Sequence, residues 1–165
     1  MVDPIRIGIL TTSDRASRGE RDDTSGAAIA ELMATLRAEI VEKAIVPDER
    51  NRIVQVLSDW VAGGSMDLIV TTGGTGLAPR DVTPEATRTV IEREVPGIAE
   101  LMRAEGRKRT PYAMLSRGVA GVVGSTLVVN LPGSERGVRE SLTPLLDLLP
   151  HAVELVRGFS DDHPG

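Results

Sequence analysis

Three glycines, two prolines and an Arg-Asp pair are crowded into Thr71-Thr72-Gly73-Gly74-Thr75-Gly76-Leu77-Ala78-Pro79-Arg80-Asp81-Val82-Thr83-Pro84. Glycine permits φ > 0 and lets a bound group approach the backbone closely. Upstream, Asp67-Leu68-Ile69-Val70 reads as a short buried strand. Downstream, Thr83-Pro84-Glu85 reads as a helix start, with Thr83 as N-cap and Pro84 at the first helical position. Strand, glycine loop, helix is how an α/β protein presents backbone N–H groups to an anion at the edge of its sheet. The chemistry this suggests is phosphate handling, with Asp81 as the acid carried by the loop.

The glycines alone do not decide it. No Lys follows Gly76, so the P-loop pattern is absent, and Pro79 stands where a dinucleotide fingerprint has its third glycine. A purely structural turn explains Gly73-Gly74-Thr75-Gly76 about as well. Asp81 tips the balance: with Thr83 and Pro84 opening the helix, it has no evident structural duty. Asp48, in Pro47-Asp48-Glu49, is more ambiguous, because it precedes a helix and could cap it.

These residues need a scaffold that brings strand ends together. Residues 5–12 (IRIGILTT) are β-prone and nearly uncharged, as in a strand covered on both faces. They empty into a polar loop, residues 13–23, that is either functional or simply solvated. A helix follows, capped by Asp23 or Thr24, with Ile29, Leu32, Met33 and Leu36 on one face. Residues 39–46 read as a second strand. Ile53, Val56, Leu57, Trp60 and Val61 then form a helical stripe in which Trp60 is packing. Two further helices follow the glycine loop, the first ending before Pro96-Gly97, and Thr110-Pro111 breaks the pattern. Residues 119–124 lead into the strand Thr126-Leu127-Val128-Val129-Asn130-Leu131, which also ends in a turn, Pro132-Gly133-Ser134. The last helical face comprises Leu142, Leu145, Leu146, Leu149, Val153 and Val156, with Pro144 starting a helix and Pro150 kinking it. Strands alternating with helices imply βαβ units and a largely parallel sheet with helices on both faces. Residues 1–165 are expected to be one domain, frayed over 160–165.

In a parallel sheet the C-terminal strand ends share an edge. Their loops would gather glycines, hydroxyls, Arg15, Arg80 and the acids Asp14, Asp48 and Asp81, but no histidine or cysteine. The chain has no cysteine at all, and its two histidines, His151 and His163, lie near the end. A histidine-based hydrolase is disfavoured, whereas phosphoryl or nucleotidyl transfer runs on positioning and charge neutralisation. Two carboxylates beside a polyphosphate would repel it by ~4 kcal/mol per close pair at an effective dielectric of 20, unless a cation intervenes. Hard oxygen ligands at such a site select Mg²⁺.

Composition narrows the partners. At 41% hydrophobic and 26% charged, the chain reads as a soluble globular protein with an aliphatic core, since only 2% is aromatic. Scarce aromatics and a net charge of −5 argue against nucleic acid. Met1-Val2-Asp3-Pro4 carries an acid where a signal peptide carries positive charge, and no apolar run is long enough to span a membrane, so a cytoplasmic protein is expected.

The ordered set Ser13-Asp14-Arg15, Asp23-x-Ser25-Gly26, Pro47-Asp48-Glu49, Thr72-Gly73-Gly74-Thr75-Gly76, Pro79-Arg80-Asp81-Val82-Thr83-Pro84, Pro96-Gly97, Leu115-Ser116-Arg117 and Asn130-Leu131-Pro132-Gly133 resembles the MogA/MoaB family. This is the molybdopterin-binding domain of molybdenum cofactor synthesis, seen also as the gephyrin G domain. The resemblance covers nearly the whole chain. It implies a three-layer α/β/α sandwich around a mostly parallel sheet, a homotrimer, and Mg²⁺-dependent transfer of AMP from ATP to the terminal phosphate of molybdopterin. It also implies a molybdenum-insertion protein as a possible partner. Carried over by position, Asp48 and Asp81 match the catalytic and metal-binding acids. Gly73, Gly74, Thr75 and Gly76, with Ser13 and Asp14, match the nucleotide and phosphate site. Ser116, Arg117, Asn130, Pro132 and Gly133 match the substrate side. Some members of the MoaB-type branch lack the transferase activity, so a non-catalytic molybdopterin-binding module stays open. The presence of Asp48, Asp81 and Ser116 together favours the enzyme.

Overall fold

The computed structural model describes residues 3–158, so the expected fraying of 160–165 lies outside the described residues, as does His163. Six strands form one sheet: β1 (Ile5–Thr12), β2 (Ala38–Val46), β3 (Leu68–Thr72), β4 (Arg93–Glu94), β5 (Ala120–Val123) and β6 (Thr126–Leu131), in the order β2-β1-β3-β6-β5-β4. The pairs β1–β2, β1–β3 and β3–β6 are parallel. The β6–β5 and β5–β4 pairs are antiparallel.

Alternation along the inner strands divides the core. Ile7, Ile9, Leu68, Val70, Leu127 and Val129 face one side, where they pack with residues of α2 (Thr24–Met33), α5 (Pro96–Arg107), α6 (Glu135–Leu142) and α7 (Leu149–Arg157). Leu10, Ile69 and Val128 face the other, against α3 (Arg50–Gly63) and α4 (Thr83–Val90). The result is a three-layer α/β/α sandwich around a mixed, mostly parallel sheet. Because β1, β3 and β6 are covered on both faces, they read as largely apolar runs without polar alternation, broken by Arg6 in β1 and Asn130 in β6. On β1 one residue had to be small: a Cβ on Gly8 would lie 2.9 Å from the Trp60 ring and 2.4 Å from Met66 Sδ.

Several local expectations need correction. The Gly-rich lead-in to β6 contains β5, joined to β6 by a two-residue turn, Gly124-Ser125, in which Gly124 has φ 55°. β4 is only two residues long and carries no periodic signal. Helix α4 begins at Thr83 rather than after it. Its N-cap is Val82, and the Thr83 hydroxyl instead shares a 3.1 Å hydrogen bond with Thr12 Oγ1 across the sheet edge. Pro150 does not kink a helix but sits in the first turn of α7, where its missing N–H leaves no bond unmade. Asp23 does cap α2, accepting from Gly26 N at 2.9 Å. The loop at 13–23 also contains a one-turn helix, α1 (Asp14–Ser17).

Parallel pairing sets Thr12 opposite Val46, and Thr72 opposite both Thr11 and Leu131. The residues that follow each strand, Ser13, Pro47, Gly73 and Pro132, therefore emerge along one edge. The opposite edge is closed by an ion cluster. Asp67, buried just before β3, accepts from Arg6 N at 2.9 Å, Arg6 Nη2 at 2.9 Å and Arg157 Nη2 at 2.5 Å. Arg157 also donates to Pro4 O at 2.9 Å, tying the end of α7 to the start of β1. Burial works to raise the Asp67 carboxyl, but the hydrogen bonds from Arg157 and Arg6 outweigh it and hold it well below the usual carboxylate range.

Candidate functional site

At the edge where β1, β2, β3 and β6 end, the glycine loop is built first by packing. Gly73 (φ 99°) and Gly74 (φ 67°) need left-handed backbone, and neither has room for a side chain: an added Cβ would lie 2.2 Å from Thr12 O at Gly73 and 2.3 Å from Thr83 Oγ1 at Gly74. Gly133 leans against the same turn, its absent Cβ falling 3.2 Å from Gly73 Cα. Gly73, Gly74 and Gly133 thus have sufficient structural reasons to be glycine. Gly76 differs in that it lines a cavity. Thr75 is buried, with its carbonyl accepting from Arg117 N at 2.8 Å.

That cavity, of about 600 Å³, lies between α5, the 3-10 turn Pro111–Leu115, the end of β6 and α6. Such a volume suits a small organic ligand. Gly76, Ser116, Asn130 and Pro132 line it, so residues distant in sequence converge there. The Asn130 side chain is not available for much else. It is buried, accepts from Val119 N at 3.2 Å, and donates to Thr71 Oγ1 at 2.9 Å and Thr87 Oγ1 at 3.0 Å. The Pro132 and Gly133 carbonyls accept from Thr72 Oγ1 (2.6 Å) and Ser25 Oγ (2.7 Å).

Asp48 borders a separate hollow beside the glycine loop, and Asp81 belongs to the loop itself. Asp48 does not cap α3, whose N-cap is Glu49 without a side-chain bond. Its Oδ2 instead accepts from Asp14 N at 3.0 Å, while Asp48 N donates to Asp14 Oδ1 at 3.0 Å. Arg80 clamps Asp14 from the glycine loop, with Nε–Oδ2 at 2.6 Å and Nη2–Oδ1 at 2.9 Å. That guanidinium is the main reason the Asp14 carboxyl is pulled down to about 2. Asp48 is pushed the other way, chiefly by burial, with repulsion from Asp14 and Asp81 adding and the bond from Asp14 N opposing. Asp48 and Arg80 share a hollow of about 390 Å³ with Pro79 and Val82. Ser13 caps α1, accepting from Ala16 N at 3.1 Å.

Asp81 has a local duty that the sequence did not disclose: its Oδ2 accepts from Ala78 N at 3.0 Å, closing a turn inside the loop. Asp48 and Asp81 each commit Oδ2 to a backbone N–H, and among the described residues neither Oδ1 has a hydrogen-bond partner. A hard divalent cation fits that donor set. The described residues hold no cage of three or more acids, but Mg²⁺ is commonly held by one or two carboxylates together with waters and substrate phosphates. The upward push on Asp48 is also what a nearby cation would relieve.

Reading the sequence missed the cavity's cations. Arg103, Arg109 and Arg136 line it, and Arg103 Nη1 donates to Gly118 O at 3.1 Å beside Ser116. The run Arg107-Lys108-Arg109 was a signal for a basic helix end. Nothing local marked Arg136, which reaches the cavity only because α6 packs beside α5. Tyr112 and Leu115, both well exposed, sit at the mouth.

The model for the probable molybdopterin binding domain matches residues 8–151. The chain belongs to the MogA/MoaB molybdopterin-binding family. It is 44% identical over 156 residues to a molybdopterin adenylyltransferase of Helicobacter pylori, covering 93% of this chain and 89% of the relative. It is 46% identical over 156 residues to the molybdenum cofactor synthesis protein cinnamon of Drosophila melanogaster, covering 94% of this chain but only 26% of that longer protein. The crystal structure of the molybdopterin biosynthesis enzyme MoaB from Thermus thermophilus superposes with a TM-score of 0.89 at 57% identity, covering 93% of this chain and 97% of that one. The family's role is in molybdopterin cofactor biosynthesis, and its fold is the sandwich described above.

Proposed function

We propose that this chain is a molybdopterin adenylyltransferase acting as a single domain. An oxygen of the terminal phosphate of molybdopterin attacks the α-phosphorus of ATP. The new P–O bond forms as the bond to the bridging oxygen breaks, and pyrophosphate leaves. The observation that carries this reading is that one loop borders both hollows: Gly76 lines the Ser116 cavity, Pro79 and Arg80 line the hollow of Asp48, and Asp81 lies between, its Oδ2 beside Gly76. A nucleotide triphosphate and a second, phosphate-bearing ligand can then meet across Gly76.

The residues divide the work. The glycine loop sets the shape of the boundary, and Ser116, with the Pro132 turn and the wall containing Asn130, offers the cavity to the pterin. The cavity's arginines suit the charge of a phosphorylated ligand. Asp48 and Asp81 are the groups that would hold Mg²⁺. When bound, that ion supplies charge neutralisation and orientation of the phosphate oxygens. The attacking phosphate is already ionised, so no histidine base is required.

A second reading, a non-catalytic molybdopterin-binding module, is favoured by the 57% identity to a structure named MoaB. Incubation with molybdopterin, ATP and Mg²⁺, followed by detection of adenylyl-molybdopterin and pyrophosphate, separates the two. Product formation supports the enzyme. Tight molybdopterin binding without product supports the module. Assembly as a homotrimer belongs to the same proposal and is read by sedimentation equilibrium. Docking of a molybdenum-insertion protein is read by titration with that protein. Among the described residues no helix is long and apolar enough to cross a membrane, and a cytoplasmic site of action is part of the proposal.

A further inference from the structure

Arg117 was expected on the substrate side, next to Ser116. The structure turns its guanidinium the other way: two of its nitrogens donate to the glycine loop and the third to helix α4. Nε donates to Gly76 O at 2.8 Å, Nη2 to Asp81 O at 2.7 Å, and Nη1 to the Glu85 carboxylate on the first turn of α4. Its backbone N–H donates to Thr75 O at 2.8 Å. One residue thereby ties down both ends of the stretch 76–81, whose middle residues, 77–80, are exposed. Besides Arg117, this stretch is ordered by the turn of Ala78 and Asp81, with Asp81 N donating to Ala78 O at 2.9 Å, and by the Arg80 clamp on Asp14, which holds its outer end. Glu85 in turn depends on Arg117, because its Oε2 is buried without a partner among the described residues.

We propose that Arg117 is a positioning residue for Asp81, a guanidinium staple that holds the acid's backbone in place without touching either substrate. The proposal rests on the adenylyl-transfer reading. A planar fork can bind two carbonyls and a carboxylate at once, which a lysine ammonium cannot reproduce in that geometry. Positioning errors of about 1 Å cost a transfer reaction roughly 100-fold. The neighbour Ser116 faces the cavity, so a single peptide unit joins the substrate wall to the acid's support.

Steady-state kinetics of the full chain carrying Arg117→Lys test the staple. We expect kcat to fall roughly 10- to 100-fold, with the KM for molybdopterin and for ATP changed less than about threefold. In an Asp81→Asn background the same substitution should cost less than about threefold more, because a group acting through Asp81 has nothing left to position. Losses that multiply, or a loss confined to the molybdopterin KM, would overturn the proposal; the second would make Arg117 a substrate contact. Glu85→Gln, which leaves both carbonyl bonds in place, should give an intermediate fall in kcat and serves if Arg117→Lys does not fold.

Hydrogen exchange of the ligand-free protein reads the staple without turnover. Arg117→Lys should speed exchange at the Ala78 and Asp81 amides while β3 and β6 stay protected. Unchanged exchange at those two amides rejects the staple even in an active enzyme. Altered exchange in a protein that makes no product rejects the adenylyl-transfer reading and leaves the staple standing.

Discussion

Asp14 and Asp48 hold each other by a reciprocal pair of bonds, each backbone N–H donating to the other's carboxylate at 3.0 Å. The pairing locks the residue after Ser13 to the residue after Pro47 and so fixes the loops that leave β1 and β2. It also sorts two acids of the same type into different roles. Asp14 is neutralised by Arg80 and held strongly acidic, while Asp48 is left half-buried without a cation of its own.

Asp48 should therefore stabilise catalysis and weaken the empty fold. Its carboxyl is raised on folding, so its favourable contribution is present at low pH and is lost as pH rises through the folded value. Asp48→Asn keeps an acceptor for Asp14 N and removes the charge. We expect a higher Tm near neutral pH in the ligand-free protein, measured by calorimetry, together with loss of adenylyl transfer.

Asp81→Asn should reduce kcat by about 100-fold or more, the scale seen when a preorganised electrostatic group is removed. The amide oxygen can still accept from Ala78 N, so the loop turn and the fold should survive. Kinetics and a circular dichroism spectrum of the same preparation check both halves of this expectation. The substitution should also lower the Asp48 carboxyl's titration, since repulsion from Asp81 is one of the causes raising it.

Arg80→Gln removes the main cause of the low Asp14 value. The Asp14 carboxyl, at about 2 in the parent, should titrate upward toward the ordinary range, as followed by carbon-detected NMR. The acid cluster then faces incoming phosphates with one less positive charge. ATP affinity should weaken, and the weakening should be larger at low salt.

At the far edge, Asp67→Asn strips two arginines of their shared carboxylate. The expected cost is about 3 kcal/mol, or a Tm drop of about 10 °C, read by thermal melting. The folded Asp67 carboxyl is depressed, so its contribution is complete above the unfolded pKa of ~3.9 and fades as pH falls through the folded value. The variant's acid unfolding profile should accordingly be flatter than the parent's.

Where burial is two-sided or periodic, the sequence was legible. The largely apolar runs of β1, β3 and β6 and the Ile53, Leu57, Trp60 stripe of α3 translate directly into buried faces. Asp48, Asp81 and Ser116 could be picked out because the residues around them follow an ordered pattern. What could not be read depends on contacts between distant segments. Arg117, just ahead of β5, meets the Asp81 carbonyl only because β6 pairs with β5 on one side and β3 on the other. Arg136 became a cavity wall only when α6 met α5. The hairpin of β5 was hidden by glycines that looked like a linker, and β4 by having just two residues.

The knot of Asp67, Arg6 and Arg157 has a practical meaning for anyone handling this chain. It gathers Pro4 and Arg157 on the sheet edge opposite the one that carries the glycine loop. A fluorophore attached to a surface side chain beside Pro4 or Arg157 would therefore sit clear of the route by which ligands reach Ser116.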